Sequence, residues 1–211
     1  MNPVDAMQLK DRIVVITGAL GALGRSVAEA AVADGATVVA VDRIDGVPPP
    51  GAQAWPALDL GDGAATQTAF AAIAARYGRI DALVNIAGGF RWETLADGAI
   101  DTWDLLYQMN VRTAVHACRA ALPHLPAGGR IVNIGAAGAV KAAAGMGAYA
   151  ASKAGVARLT EALAEELKQR DITVNAVLPS IIDTPTNRAD MPDADYSRWV
   201  TPQALAEVIL F

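Results

Sequence analysis

RIVVITGALGALGRSVAEAAVADGATVVAVD, residues 12–42, decides the fold. Its first six residues are a β-branched apolar run too short for a helix. A turn with Gly18, Gly21 and Gly24 follows, and then an alanine-rich segment with helical spacing from about Ala22 to Asp34. A second apolar run, ATVVAV, ends at Asp42. Strand, glycine turn, helix and strand in this order form a βαβ unit. Two strands joined by such a crossover lie parallel, with the helix packed on one face.

The unit repeats in kind along the chain. AWPAL ends at Asp59, RIDALVNIA ends at Gly88 and Gly89, GRIVNIGA covers 129–136, and DITVNAVL ends at Pro179. Helical segments separate most of these runs. Strands buried on both faces read as continuous apolar stretches. The expected architecture is therefore one α/β domain over 1–211, a doubly wound parallel sheet of Rossmann type with helices on both faces. Two segments fall outside the pattern. VPPPG at 47–51 is a loop with no evident packing role, and the polar, Pro-bearing stretch over 180–200 reads as an irregular or partly helical lid above the carboxyl ends of the strands. The final PQALAEVILF reads as an amphipathic helix. Its apolar Val208, Ile209, Leu210 and Phe211 need cover, so a last strand is expected to be missing after it.

Composition narrows the function. The chain has 211 residues, 53% hydrophobic and 18% charged, enough for one well-buried core. With 17 basic and 22 acidic residues, a net charge of -5 and no basic cluster, neither a nucleic acid nor an anionic membrane surface is an expected partner. A single Cys118 excludes an internal disulfide, and two scattered His leave no metal-binding cluster. No signal-like start and no long apolar span is present, so a cytoplasmic location is expected.

The glycine turn is suited to a phosphate. Glycines permit a tight bend and let backbone N–H groups approach a pyrophosphate, whose charge is favoured by the helix N-terminus. Gly18, Gly21, Ala22, Leu23 and Gly24 are thus candidate dinucleotide contacts. Asp42, eighteen residues past Gly24, is placed to accept hydrogen bonds from an adenosine ribose diol and to repel a 2′-phosphate. NADH is accordingly expected in preference to NADPH, although the neighbouring Arg43 could pair with such a phosphate. Asp59 and Leu60 are candidates for the adenine end. Asn85, Ala87, Gly88 and the 135–137 segment belong to the same crevice, because ligands bind outside the carboxyl ends of the strands.

A second cluster suggests proton transfer. Tyr149 and Lys153 are four residues apart on a helix, hence on one face, where an ammonium would lower the phenol pKa. Upstream of them stand only glycine and alanine at Gly135 and Ala136.

Together TGALGALG at 17–24, NIAG at 85–88, MNVRTA around Asn110, IVNI at 131–134, YAASK at 149–153 and NAVLPSIIDTP at 175–185 resemble the short-chain dehydrogenase/reductases. That resemblance covers essentially the whole chain. It implies an oxidoreductase with Tyr149 as acid/base, Lys153 holding the nicotinamide ribose and depressing the Tyr pKa, and Asn110 ordering a water that relays protons to Lys153. It also implies that Pro179, Ile182 and Thr184 border the nicotinamide, and that the chain assembles as a homodimer or homotetramer through the helices after the fourth and fifth strands.

Three positions depart from the family pattern. Ala22 stands for a glycine, Pro179-Ser180 stands for Pro-Gly, and Ala136 occupies the place of the usual active-site Ser, thirteen residues before Tyr149. Ser152 is not expected to replace that hydroxyl, since one residue before Lys153 it points about 100° around the helix. Dihydropteridine reductases, a branch of the family, keep the Tyr and Lys and lack the Ser. The likeness to that branch extends to AGGF at 87–90, GMGAY at 145–149 and the whole of 178–199. It implies a quinonoid or similarly conjugated small-molecule substrate, in a pocket walled by Phe90, Trp92, Ala136, Met191, Tyr196 and Trp199. Alternatives are an ordinary alcohol or ketone oxidoreductase and a nucleotide-binding protein whose catalysis has decayed. His116, His124, Arg112 and Arg119 are read as surface or interface residues without a catalytic role.

Overall fold

The computed structural model describes residues 8–211. Strands β1 (Ile13–Thr17), β2 (Thr37–Val41), β3 (Gln53–Ala54), β4 (Ala82–Asn85), β5 (Arg130–Ile134) and β6 (Thr173–Val177) form one sheet. Their order is β3-β2-β1-β4-β5-β6, with every pairing parallel. The chain winds outward in both directions from β1 and β4, so the crevice at the topological switch point opens at the carboxyl ends of those two strands.

Alternation along β1 explains why its residues from Ile13 to Ile16 are all apolar. Ile13 and Val15 enter one core with Phe70 and Ile73 of α2 (Gly63–Tyr77), Ala117 and Cys118 of α4 (Thr113–Ala121), and Leu163 of α5 (Gly147–Leu167). Val14 and Ile16 enter the opposite core with Leu23 and Val27 of α1 (Ala22–Ala33), and with Leu205 and Ile209 of α7 (Pro202–Leu210). Both helix layers are thus built on alternate residues of the same strands. The terminal helix finds part of its cover within the chain. Ile209 is buried against α1 and Leu210 partly so, whereas Val208 and Phe211 remain exposed.

The third strand differs from expectation. AWPAL forms no regular strand, and β3 is two exposed residues. Pro56 has no N–H to offer a ladder, so the chain follows β2 through separate hydrogen bonds from Trp55 N to the Ala40 carbonyl at 3.0 Å and from Leu58 N to the Asp42 carbonyl at 2.8 Å. The VPPPG loop does pack: Pro49 is buried, Gly51 (φ +80°) lies against Val32 of α1, and Arg25 reaches across to the Val47 carbonyl at 3.0 Å.

At the opposite end of the sheet from the crevice, Asp81 is 4% exposed. It accepts from Ile13 N at 2.8 Å, from Arg12 at 3.2 Å and from Arg79 at 2.9 Å. Burial pushes its pKa up. The hydrogen bonds from Ile13, Arg79 and Arg12 and the Arg79 charge outweigh that, leaving the carboxyl below its usual range.

Candidate active site

The glycine turn is shaped by two different demands. Gly18 has φ +66° and lies against Ala87, where a Cβ would come within 2.8 Å of the Ala87 nitrogen; Gly24 is pressed against the Gly18 carbonyl, and a Cβ there would overlap it. These two glycines are required by the protein's own packing. Gly21 caps α1 in an extended conformation, and a Cβ on it would meet only the Gly18 oxygen, at an ordinary 3.4 Å. Its bareness keeps the space before the helix N-terminus open, as a dinucleotide's phosphates require. Ala22 is the exposed first residue of α1 and fits its helical conformation, while the Leu23 side chain turns into the core.

Asp42 leaves the end of β2 and accepts from Leu20 N at 3.0 Å and Arg43 N at 2.8 Å, which locks the carboxylate beside the turn. A pocket of about 340 Å³ opens there, lined by Leu20, Asp42, Ile44, Gly46 and Trp55 among others. Arg43 is exposed, and the Arg25 guanidinium is held by the Leu20 and Val47 carbonyls. Asp59 is exposed and closes its own turn onto Gly61 N at 2.8 Å. The Leu60 carbonyl is held by His116 Nδ1 at 2.8 Å, so His116 braces the loop before α2, a role its isolated place in the sequence did not signal.

At β4 the crevice takes a different form from the expected one. Asn85 does not face it. Its amide is buried, donating to Asn133 Oδ1 at 2.8 Å and to Cys118 Sγ at 3.3 Å. Strand alternation turns this side chain into the α4–α5 core. Ala87 N donates to Thr17 Oγ1 at 3.2 Å, and beyond it Gly88 is exposed beside Asn110 and Lys153.

Helix α3 (Ile100–Leu106) runs into α4 through a π-helical turn, Tyr107–Arg112, which carries Asn110. Such a turn is a common mark of functional sites. Asn110 Oδ1 accepts from Gly89 N at 2.9 Å, and Nδ2 donates to the Gly89 carbonyl at 3.0 Å and to Ser152 Oγ at 2.9 Å. The side chain expected to order a water is thus engaged in joining three segments of the protein.

Tyr149 and Lys153 lie one turn apart on α5 as the spacing predicts. Lys153 is 6% exposed, and its ammonium donates to the Ile134 carbonyl at 2.8 Å. Burial lowers its pKa to about 8. Tyr149 moves the other way from the expected depression, because burial raises its pKa and the ammonium is directed at Ile134. The phenol therefore stands protonated at neutral pH. Phe90 packs edge-on against it, with ring centroids 4.8 Å apart and planes at 84°. Ala136 is buried at the end of β5, and the next residue, Ala137, donates to the Pro179 carbonyl at 2.9 Å.

The 180–200 segment is braced mainly against itself. Ile182 and Val200 form a parallel bridge at its base, and Thr184 caps the short helix α6 (Pro185–Asp190) by accepting from Asn187 N at 3.1 Å. Arg188 pairs with Asp183 at 2.6 and 2.8 Å and lies 4.6 Å above the Tyr196 ring, which in turn meets Trp199 at a tilt of 54° with centroids 4.7 Å apart. Tyr196 and Trp199 thus pack on each other, and Met191 is half-buried just after α6. Trp92 lies across Gly145 and donates to the Ala144 carbonyl at 3.0 Å, clasping the loop before α5.

A family model described as short chain dehydrogenase matches residues 12–195. The chain belongs to the short-chain dehydrogenases. Among curated relatives of this dehydrogenase, the 3-oxoacyl-[acyl-carrier-protein] reductase FabG of Thermotoga maritima is 30% identical, over 97% of the chain and 91% of the relative. D-beta-hydroxybutyrate dehydrogenase of Rhizobium meliloti is 29% identical, over 94% and 83%. Among solved structures, a short chain dehydrogenase from Burkholderia cenocepacia in complex with NADP superposes with a TM-score of 0.85 at 31% identity, covering 96% of this chain and 90% of that one. A Serratia marcescens short-chain dehydrogenase/reductase gives 0.85 at 28%, covering 95% and 89%. The protein is therefore an NAD(P)-dependent oxidoreductase of this family. No helix among the described residues is long and apolar enough to cross a membrane.

Proposed function

We propose that this dehydrogenase reduces an electron-poor conjugated ring, such as a quinonoid dihydropterin, with NADH. The observation that carries the reading is a half-buried Tyr149 one helical turn from Lys153, with a buried Ala136 where a second hydroxyl donor would stand. Loss of one positioned donor typically costs about 3–4 kcal/mol of transition-state stabilisation on a developing oxyanion. A quinonoid substrate, already poised to accept hydride, has less need of that donor.

In this reading the N–H groups of the Gly18–Gly24 turn hold the pyrophosphate, Asp42 the adenosine ribose and Lys153 the nicotinamide ribose. Asp59, Leu60, Ala87 and Gly88 border the adenosine side, and Pro179, Ile182 and Thr184 the nicotinamide side. Bound reduced nicotinamide supplies the hydride. Tyr149 gives its phenolic proton to the substrate heteroatom that gains charge as hydride arrives. The nearby ammonium of Lys153 favours the phenolate left behind, and solvent protons restore the phenol. Phe90 offers an apolar edge on the substrate side of Tyr149. The anchored Asp42 carboxylate supports NADH over NADPH, as does an Arg25 already held by two carbonyls.

Purified protein supplied with NADH and quinonoid dihydropterin should oxidise the cofactor, and Tyr149→Phe should nearly abolish the rate. Wild-type turnover in Tyr149→Phe would sink the mechanism. The named activities of the relatives favour a second reading, reduction of a ketone. Under it Ala136→Ser should raise ketone turnover at least tenfold, about 1.4 kcal/mol, whereas on the quinonoid reading the wild type already reaches full rate with its own substrate. A homodimer or homotetramer is supported by Ile100, Trp103 and Tyr107, an exposed apolar stripe along α3 and the π-turn, and is checked by light scattering after gel filtration.

A further inference from the structure

We propose that Ser152 is a positioning residue for the proton-transfer face, a role that rests on the reading of Tyr149 and Lys153 given above. Helical rotation of about 100° per residue turns Ser152 away from the Tyr149–Lys153 face. Its side chain is nevertheless buried, at 4% exposure, because the π-turn packs against that flank of α5.

The hydroxyl has one proton, and the Tyr149 carbonyl receives it at 2.7 Å. A lone pair then remains for Asn110 Nδ2 at 2.9 Å. The other amide proton of Asn110 goes to the Gly89 carbonyl at 3.0 Å, and Oδ1 takes the Gly89 N–H at 2.9 Å. Only one orientation of the amide satisfies these bonds, since the flipped amide would set Nδ2 against the Gly89 N–H, donor to donor. The Gly89 N–H fixes which end of the amide faces the turn, Ser152 holds the amide there by accepting its second proton, and Asn110 sets where the Gly88–Gly89 turn lies. That turn is adjacent to the ammonium: a Cβ on Gly88 would be 3.5 Å from Lys153 Nζ and 2.5 Å from Asn110 Oδ1. Without the hydroxyl, a buried amide N–H loses its partner, and the relief open to it is to swing Asn110 and carry the turn with it. Ser152 touches neither the substrate nor the reacting atoms in this account.

A pair of variants of equal shape isolates the hydroxyl. Ser152→Thr keeps it and Ser152→Val removes it, with Ser152→Ala as a smaller companion. Ser152→Val and Ser152→Ala should lower kcat by about tenfold to a hundredfold, as small misplacements of a reacting group do, with less than a twofold change in the KM for NADH. Ser152→Thr should recover most of the rate. Combined with Asn110→Ala, Ser152→Ala should add no further loss, because the two act as one unit. Exchange of the Gly89 amide proton should be at least tenfold faster in Ser152→Val than in Ser152→Thr. Equal kinetics and equal exchange in the Thr and Val variants overturn the proposal, as does a double variant whose losses multiply. If the wild type turns over neither quinonoid dihydropterin nor ketones, the functional reading has failed, and the Gly89 exchange alone decides the role of Ser152.

Discussion

Replacing Lys153 by Met should stabilise the protein while abolishing turnover, and the stabilisation should vary with pH in a defined sense. Burial lowers the Lys153 pKa from an ordinary 10.5 to about 8. At about 1.36 kcal/mol per pH unit, holding this side chain charged in the interior withholds about 3 kcal/mol at neutral pH. Between the two pKa values the unfolded chain binds more protons than the folded one, so wild-type stability rises with pH across that window. The penalty is complete below about pH 8 and is relieved as the pH climbs toward 10.5. Methionine has a similar length and no charge. Against it stands the Ile134 carbonyl, which loses its donor at a cost of about 1–3 kcal/mol. The net expectation at pH 7 is a variant about 1 kcal/mol more stable, or about 2–4 °C in Tm for a chain of this size. The sharper quantity is the change between two pH values. From pH 7 to pH 10 the free-energy gap between the two proteins should move by about 2.5 kcal/mol in favour of the wild type, because groups common to both cancel. Equilibrium urea unfolding followed by circular dichroism at both pH values measures it. A gap that stays constant would refute the assignment of the penalty to the buried ammonium.

The same ammonium should give kcat/KM an alkaline limb falling above about pH 8, and a profile flat through that region would separate Lys153 from catalysis. Asp81→Asn should cost about 2 kcal/mol at pH 7, the Arg partners being half exposed and screened. Because the folded pKa is depressed, that difference should shrink as the pH falls below about 4, a trend readable from acid unfolding curves. Gly24→Ala should destabilise by about 1–3 kcal/mol or more through overlap with the Gly18 carbonyl, while Gly21→Ala should leave Tm nearly unchanged and weaken cofactor binding, measured by fluorescence titration. Asp42→Ala should raise the Kd for NADH about tenfold, near 1.4 kcal/mol, and narrow its advantage over NADPH.

Five strands were legible because each is a short apolar run, buried on both faces in all but the edge strand β6, and the glycine turn and the Tyr149–Lys153 spacing were legible because both are local. The third strand was not, since its apolar letters include Pro56, and the hydrogen bonds it does make depend on where β2 lies. Ser152 was dismissed on its angle from Lys153, which was correct about the Lys153 face. The π-turn that meets its own flank comes from a segment more than forty residues earlier. Asn85 was placed in the crevice by its motif, whereas strand alternation turns it toward Asn133. The Tyr149 pKa was inferred from its neighbour in sequence, and burial, a property of the whole fold, reversed the direction. Tyr196 and Trp199 were read as pocket walls from their residue types alone; their tilted contact with each other, and the Arg188 guanidinium over the Tyr196 ring, depend on how the segment folds back on itself.

The bridge between Ile182 and Val200 has a bearing on how such a protein can change. A segment that leaves and rejoins the body at adjacent points, and holds itself together through its own ion pair and ring contact, behaves as a cassette. Residues 183–199 can be lengthened, shortened or exchanged with another chain's counterpart while the ladder at their base is kept. The strands need not adjust. The groups assigned to proton transfer, Tyr149 and Lys153, sit elsewhere, on α5, so outside Thr184, which is assigned to the nicotinamide, the segment can be varied without touching them.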